Sequence, residues 1–214
     1  YGNLRQLLNL EVTYHDIDRI FFTHNHPDHV CDLIPFLFGS RYQLDTRKKD
    51  LEIIAGPGFQ DFFDKLMLAF KHWLKPTEYK LNISEIDEGI RDFGKLKVQV
   101  GKVKHIAMSR GYRFTNDQGK SVAVSGDTDY CEGMIELGRD VDLMILECAW
   151  PDDEKTDGHL GPTLAGKLAM EANCKKLCLT HFYPPCDLEN IRNTVQKNYK
   201  GELLLARDLM QFDL

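Results

Sequence analysis

Residues 24 to 29 read His24-Asn25-His26-Pro27-Asp28-His29, which puts three imidazoles and a carboxylate within six positions. Imidazole nitrogen and carboxylate oxygen are the donors taken by zinc and neighbouring divalent metals. The cluster directly follows the apolar run Ile20-Phe21-Phe22-Thr23. A strand that ends in such a loop holds its donors rigidly at the edge of a sheet. With eight histidines in 214 residues, three in one hexapeptide is an improbable accident.

One loop does not carry enough donors for two ions. Three further segments end strand-like runs on suitable side chains. His105 follows Val98 to Lys104, Asp127 follows Val122-Ala123-Val124-Ser125-Gly126, and His181 follows Leu177-Cys178-Leu179-Thr180. Gly126 lets the backbone turn sharply, so the Asp127 carboxylate can point inward. Each residue alone is unremarkable. Together with the first cluster they predict a metal centre fed by several strand ends.

The elements that must position these residues alternate between strand and helix patterns. Strands are expected over 19–23, 51–55, around 96–100, 111–116, 121–125, 143–147, 176–180, 202–205 and 209–212. Helices are expected over 3–10, 29–41, 58–74, 162–173 and 187–198, with Pro162 near a first turn. Gly101 is expected to shift the register of its strand. Asn116-Asp117-Gln118-Gly119 should turn a hairpin. The apolar spacing Phe59, Phe62, Phe63, Leu66, Met67, Phe70 and Trp73 suggests packing rather than a ligand site. Mixed strands and helices with sites at strand ends point to a layered α/β sandwich.

Composition sets wider limits. The chain is long enough for one domain, 1–214, with a substantial core. Its formal charge of −6 argues against a dedicated nucleic-acid binder, although a local cationic site can outweigh net charge. The six cysteines form no Cys-x-x-Cys pair, so reduced thiols in a cytoplasmic protein are expected. No apolar stretch approaches a membrane span. The chain opens on Tyr1-Gly2-Asn3-Leu4 without an initiating Met, which suggests that residues precede it.

The chain resembles the metallo-β-lactamase superfamily, and within it the ribonuclease Z-like and related phosphodiesterase branch. The resemblance rests on Thr23-His24 through His29, His105, Gly111-Tyr112-Arg113, Ser125-Gly126-Asp127-Thr128, Glu147-Cys148-Ala149, His159 and Thr180-His181-Phe182. It implies a four-layer αββα sandwich whose N-terminal strands are missing from this sequence. It implies two divalent ions, zinc first, with manganese or iron(II) as alternatives. His24, His26 and His105 would hold one ion, Asp28, His29 and His181 the other, and Asp127 would bridge them.

The resemblance also implies a metal-bridging hydroxide as nucleophile, oriented by Asp28. Glu147 would orient His159, which would protonate the leaving alkoxide. His15 and His72 fit no site. Members of the ribonuclease Z branch carry a long tRNA-gripping arm between the Gly-Tyr-Arg and Ser-Gly-Asp-Thr strands. Here Arg113 and Ser125 are joined by a tight hairpin, and the loop before His159, Asp152-Asp153-Glu154-Lys155-Thr156-Asp157, is acidic. Small phosphodiesters are therefore the expected substrates, with RNA and tRNA 3′-end cleavage second. A non-phosphate ester, amide or thioester comes third, and a non-catalytic metal-binding protein last. A homodimer is expected by analogy with the family.

Overall fold

The computed structural model describes residues 2–214. The chain divides into two compact units, the first ending at Ile86 and the second comprising Asp87–Leu214.

The first unit contains helix α1 (Asn3–Leu7), strand β1 (Arg19–Phe21), the one-turn helix α2 (Pro27–Val30) and helix α3 (Leu33–Gly39), followed by β2 (Leu51–Ala55), α4 (Phe59–Phe70) and β3 (Leu81–Glu85). Its sheet is parallel in the order β1-β2-β3. The central strand has the near-continuous apolar sequence of a strand covered on both faces; Leu51, Ile53, Ile54 and Ala55 are all buried. The Phe22 N–H donates to the Ile54 carbonyl at 2.8 Å, which extends the ladder to the edge of the histidine cluster. Phe22 then stacks on Phe59 of α4, with ring centroids 4.9 Å apart. Arg47 is buried and donates to the carbonyls of Tyr14, Ile17 and Asp50, tying two loops together around one cation.

The second unit contains β4 (Gly89–Asp92), β5 (Leu96–Lys102), β6 (Arg110–Asn116), β7 (Ser121–Val124), α5 (Glu132–Gly138), β8 (Leu143–Glu147), α6 (Pro162–Ala172), β9 (Lys176–Thr180), α7 (Leu188–Asn198) and β10 (Glu202–Leu205). The sheet order is β10-β9-β8-β7-β6-β5-β4. The β10 to β7 half is parallel and the β7 to β4 half antiparallel, so β7 joins two pairing regimes. Helices α5, α6 and α7 pack on this sheet over a core that includes Met134, Leu137, Met144, Leu146, Leu168, Leu177, Ile191 and Val195. Asp187 caps α7 by accepting from the Glu189 and Asn190 N–H groups.

Four expectations change. The helix expected over 29–41 is broken between α2 and α3. Pro35 has no N–H for the Cys31 carbonyl, and its ring opposes that carbonyl, so one continuous helix cannot form. Gly101 shifts no register: it pairs with Gly111 in an unbroken ladder, and its missing Cβ leaves room for the Leu137 side chain. Residues 209–212 form no strand. The 58–74 pattern is α4 followed by a 3₁₀ turn, Lys71–Leu74, and its apolar stripe is only partly covered: Phe59 and Phe63 are buried whereas Trp73 is 55% exposed. All six thiols are free, and burial pushes those of Cys148, Cys174 and Cys178 up. No helix among the described residues is long and apolar enough to cross a membrane.

Candidate metal centre

In the first unit, β1 delivers the chain to the cluster and Pro27 begins α2 directly after His26. Proline fits the first helical position because that N–H needs no partner there. The one-turn helix then presents Asp28 and His29 together, with His29 Nε2 3.2 Å from Asp28 Oδ2. The His24 ring lies 4.6 Å from that of His26 and 4.1 Å from that of His29. Thr23 Oγ1 is 3.2 Å from His24 Nδ1. The hexapeptide thus gathers three imidazoles and a carboxylate locally.

In the second unit, the carboxyl ends of three adjacent parallel strands each release one reactive side chain. Asp127 follows β7, Glu147 ends β8 and His181 follows β9, with Glu147 and Thr180 paired across the sheet. Ligand sites in α/β sheets characteristically lie outside such strand ends. The turn after β7 uses Gly126 at φ 61°, and His181 itself is held at φ 64°. A left-handed backbone is costly for a non-glycine residue and is typically retained where a side chain must be aimed.

Asp127 is 2% exposed, and its two oxygens face different imidazoles. Oδ2 is 3.8 Å from His105 Nε2, and Oδ1 is 3.4 Å from His181 Nε2. Donors bound to one tetrahedral ion at ~2.0–2.2 Å stand roughly 3.3–3.6 Å apart; the His181 pair at 3.4 Å falls within that spacing, and the His105 pair at 3.8 Å lies just beyond it. His105 Nδ1 lies 2.9 Å from the Gly158 carbonyl oxygen, which can only accept. His105 therefore carries its proton on Nδ1 and its lone pair on Nε2, the nitrogen aimed at Asp127. This donor set fits a divalent ion.

Glu147 is 1% exposed and fully engaged. Oε1 accepts the Thr128 N–H and Oε2 accepts the N–H groups of Ala149 and Leu160. N–H donors thus reach both oxygens, and His159 Nδ1 donates to Oε1 at 2.9 Å. That hydrogen bond, reinforced by the charges of Glu147 and Asp127, raises the His159 pKa against the opposing effect of burial. A nitrogen or oxygen of His159, His181 and Asp127 can be chosen so that all three lie within 4.8 Å of one another. The two rings stack 5.8 Å apart.

Asp129 was not apparent as a site residue from the sequence. It is buried, its Oδ1 accepts the Tyr130 N–H, and its Oδ2 accepts from Lys155 and from the Gly158 N–H. Burial pushes its carboxyl up, but Lys155 and the backbone donors outweigh this and hold it below the usual carboxylate range. It anchors the loop that carries Gly158 and His159. The one sequence signal was a second acid two residues after Asp127. Asp152 of the acidic loop caps α6 through the Thr163 N–H and hydroxyl. Arg113 donates to the Arg139 carbonyl, Tyr112 is buried, and His15 pairs with Asp45, so these residues serve structure.

The family model of the beta-lactamase superfamily domain matches residues 3–182. An uncharacterized protein of Mycobacterium tuberculosis is 30% identical over 188 residues, covering 85% of this chain and 68% of that protein. Ribonuclease Z of Streptomyces coelicolor is 27% identical over 261 residues, covering 97% and 84%. Among solved structures, the metallo-beta-lactamase fold protein YhfI from Bacillus subtilis superposes with a TM-score of 0.82 at 24% identity, over 97% of this chain and 82% of that one. The mixed α/β architecture is therefore the metallo-β-lactamase fold.

Proposed function

This chain belongs to the beta-lactamase superfamily, and from that premise we propose that it is a metal-dependent phosphodiesterase in which His159 protonates the leaving alkoxide. The observation that carries this reading is the Glu147–His159 pair placed beside Asp127 and His181. Hydrolysis of a thioester does not require a proton donor, because a thiolate leaves readily without one. Phosphodiester hydrolysis does, and the match to a ribonuclease Z over nearly the whole chain supports the same chemistry.

We assign His24, His26 and His105 to one ion, Asp28, His29 and His181 to a second, and Asp127 to both, following the family pattern. The two Asp127 oxygens facing separate imidazoles support the bridging assignment. Two divalent ions, if held by these residues, would supply an activated water and would neutralise charge on the phosphoryl oxygens. Zinc suits the imidazole-rich donor set, and manganese or iron(II) are the alternatives. The remaining steps belong to the chain. Asp28 orients the attacking water. Glu147 fixes the His159 tautomer so that the transferable proton sits on Nε2. Backbone donors hold Glu147 itself in place.

The test compares leaving groups. His159→Ala, loaded with zinc or manganese, should retain its metal content. Hydrolysis of an alkoxide-leaving diester should slow by about 10²–10⁴-fold, the usual value of a positioned acid. Hydrolysis of bis-p-nitrophenyl phosphate, whose leaving group needs no proton, should change little. Equal slowing of both substrates removes the acid role.

A further inference from the structure

We infer that Tyr183 and Trp150 form the wall against which the planar base of a nucleotide stacks on the leaving-group side of the scissile bond. The inference rests on the phosphodiesterase reading and adds a substrate class to it. Tyr183 packs against both histidines of the second unit's site, its ring centroid 5.0 Å from His181 and 6.0 Å from His159. Trp150 meets Tyr183 edge to face at 4.9 Å and 85°. Both aromatic residues are half-buried, so each keeps accessible surface.

The pair is held in place before any ligand arrives. The Tyr183 N–H donates to the Ala149 carbonyl at 3.1 Å, and the Cys186 N–H closes a turn onto the Tyr183 carbonyl at 2.9 Å. The Cys186 thiol donates to the same Ala149 carbonyl at 3.2 Å. Pro184 and Pro185 occupy the middle of that turn and restrict its backbone further. On the other side, the Trp150 N–H donates to the carbonyl of Leu160, the residue after His159. Two segments that carry site residues, 147–150 and 181–186, are thereby locked with their aromatic rings together. A preorganised aromatic surface binds a planar ring at low entropic cost.

A bland alternative is that Tyr183 only buttresses His181. Trp150 argues against packing alone. Among the described residues its indole N–H is buried without a hydrogen-bond partner, a cost that phenylalanine would avoid. The position relative to His159 fixes the side of the substrate. The proton goes to the departing oxygen, so the group next to His159 is the departing nucleoside, and its base is the planar ring within reach of Tyr183.

Two measurements test this. The first uses the metal-loaded enzyme with a dinucleoside monophosphate and its two counterparts, each lacking one base. Product analysis identifies the departing side. The base on that side should improve kcat/KM by roughly ten-fold or more, mostly through KM. Tyr183→Phe should keep this preference and Tyr183→Leu should erase it. If Tyr183→Leu slows all three substrates equally and leaves the preference intact, Tyr183 is a buttress and the inference is overturned. The second measurement needs no turnover. In a Trp73→Phe background, Trp150 is the sole tryptophan. Adenosine monophosphate should quench its emission saturably, ribose 5-phosphate should not, and Tyr183→Leu should weaken the quenching ten-fold. Quenching without any diester cleavage would sink the phosphodiesterase reading and leave the wall standing. Cleavage with no base preference and no quenching would do the reverse.

Discussion

Asp127 is the residue on which the proposed centre turns, because its two oxygens face different imidazoles. A carboxylate with a single partner could be replaced by a neighbouring acid. One that spans two donors at 2% exposure cannot. Asp127→Ala should therefore lose both metals together, read by elemental analysis after desalting, and lose diester hydrolysis with them. A variant that retains two ions would show that the bridging assignment is wrong. The candidate ligand residues stood out in the sequence because imidazole and carboxylate groups at strand ends carry a chemical signature that survives without any fold. Glu147 and His159 needed the family resemblance, since a buried glutamate and a loop histidine twelve positions apart announce nothing by spacing. Asp129 escaped altogether. Its role is to accept from Lys155 and Gly158, contacts that only the folded chain creates.

Among the elements, the loop between β8 and α6 holds the site to tight tolerances. Gly158 has φ 84°, and a Cβ there would stand 2.8 Å from His105 Nδ1. Its carbonyl also fixes the His105 tautomer. Gly158→Ala should tilt that ring and lower zinc affinity by about 10–100-fold, the usual penalty for disturbing a ligand's support. A competitive chelator titration reads this directly, and unchanged affinity would mean that the loop can yield. A second element-level prediction concerns the entry to β8. Asp142 accepts from Lys175 and from the Ser121 N–H, and these partners bring its carboxyl down to about 2. A depressed folded pKa stabilises the protein above the unfolded value near about 3.9 and loses that contribution as pH falls through the folded one. Urea midpoints of the protein should fall more steeply between pH 4 and pH 2 than those of Asp142→Asn, and parallel curves would contradict this. The strands β2, β8 and β9 were legible because they are apolar runs of the expected length. Strand β4 was not, since all four of its residues are exposed and Ile90 is its one large apolar side chain. Helix α5 was hidden by glycines at both Gly133 and Gly138, which lower helix propensity, and it forms because Met134, Ile135 and Leu137 are buried.

At the scale of the whole molecule, the proposed phosphodiesterase reading raises the question of which diesters the chain would grip. The β6–β7 connection is closed tightly, with Asn116 Oδ1 accepting the N–H groups of Gln118 and Lys120. No arm leaves the molecule there. The formal charge is −6, and Asp152, Asp153 and Glu154 form an exposed acidic 3₁₀ turn just ahead of His159. Most affinity for a folded RNA comes from phosphate contacts and the counterions they release. With no arm at the β6–β7 connection among the described residues, and with exposed carboxylates in the loop that leads to His159, the chain forgoes much of that term. A dinucleotide needs only the metal centre and one stacking surface. Small diesters should therefore be cleaved with at least ten-fold higher kcat/KM than precursor tRNA at physiological salt. Lowering the salt should narrow the gap only weakly, because few phosphates are neutralised by protein cations and the salt slope scales with their number. A steep salt dependence with efficient tRNA cleavage would reveal a cationic tRNA surface and would restore the ribonuclease Z reading as the first choice.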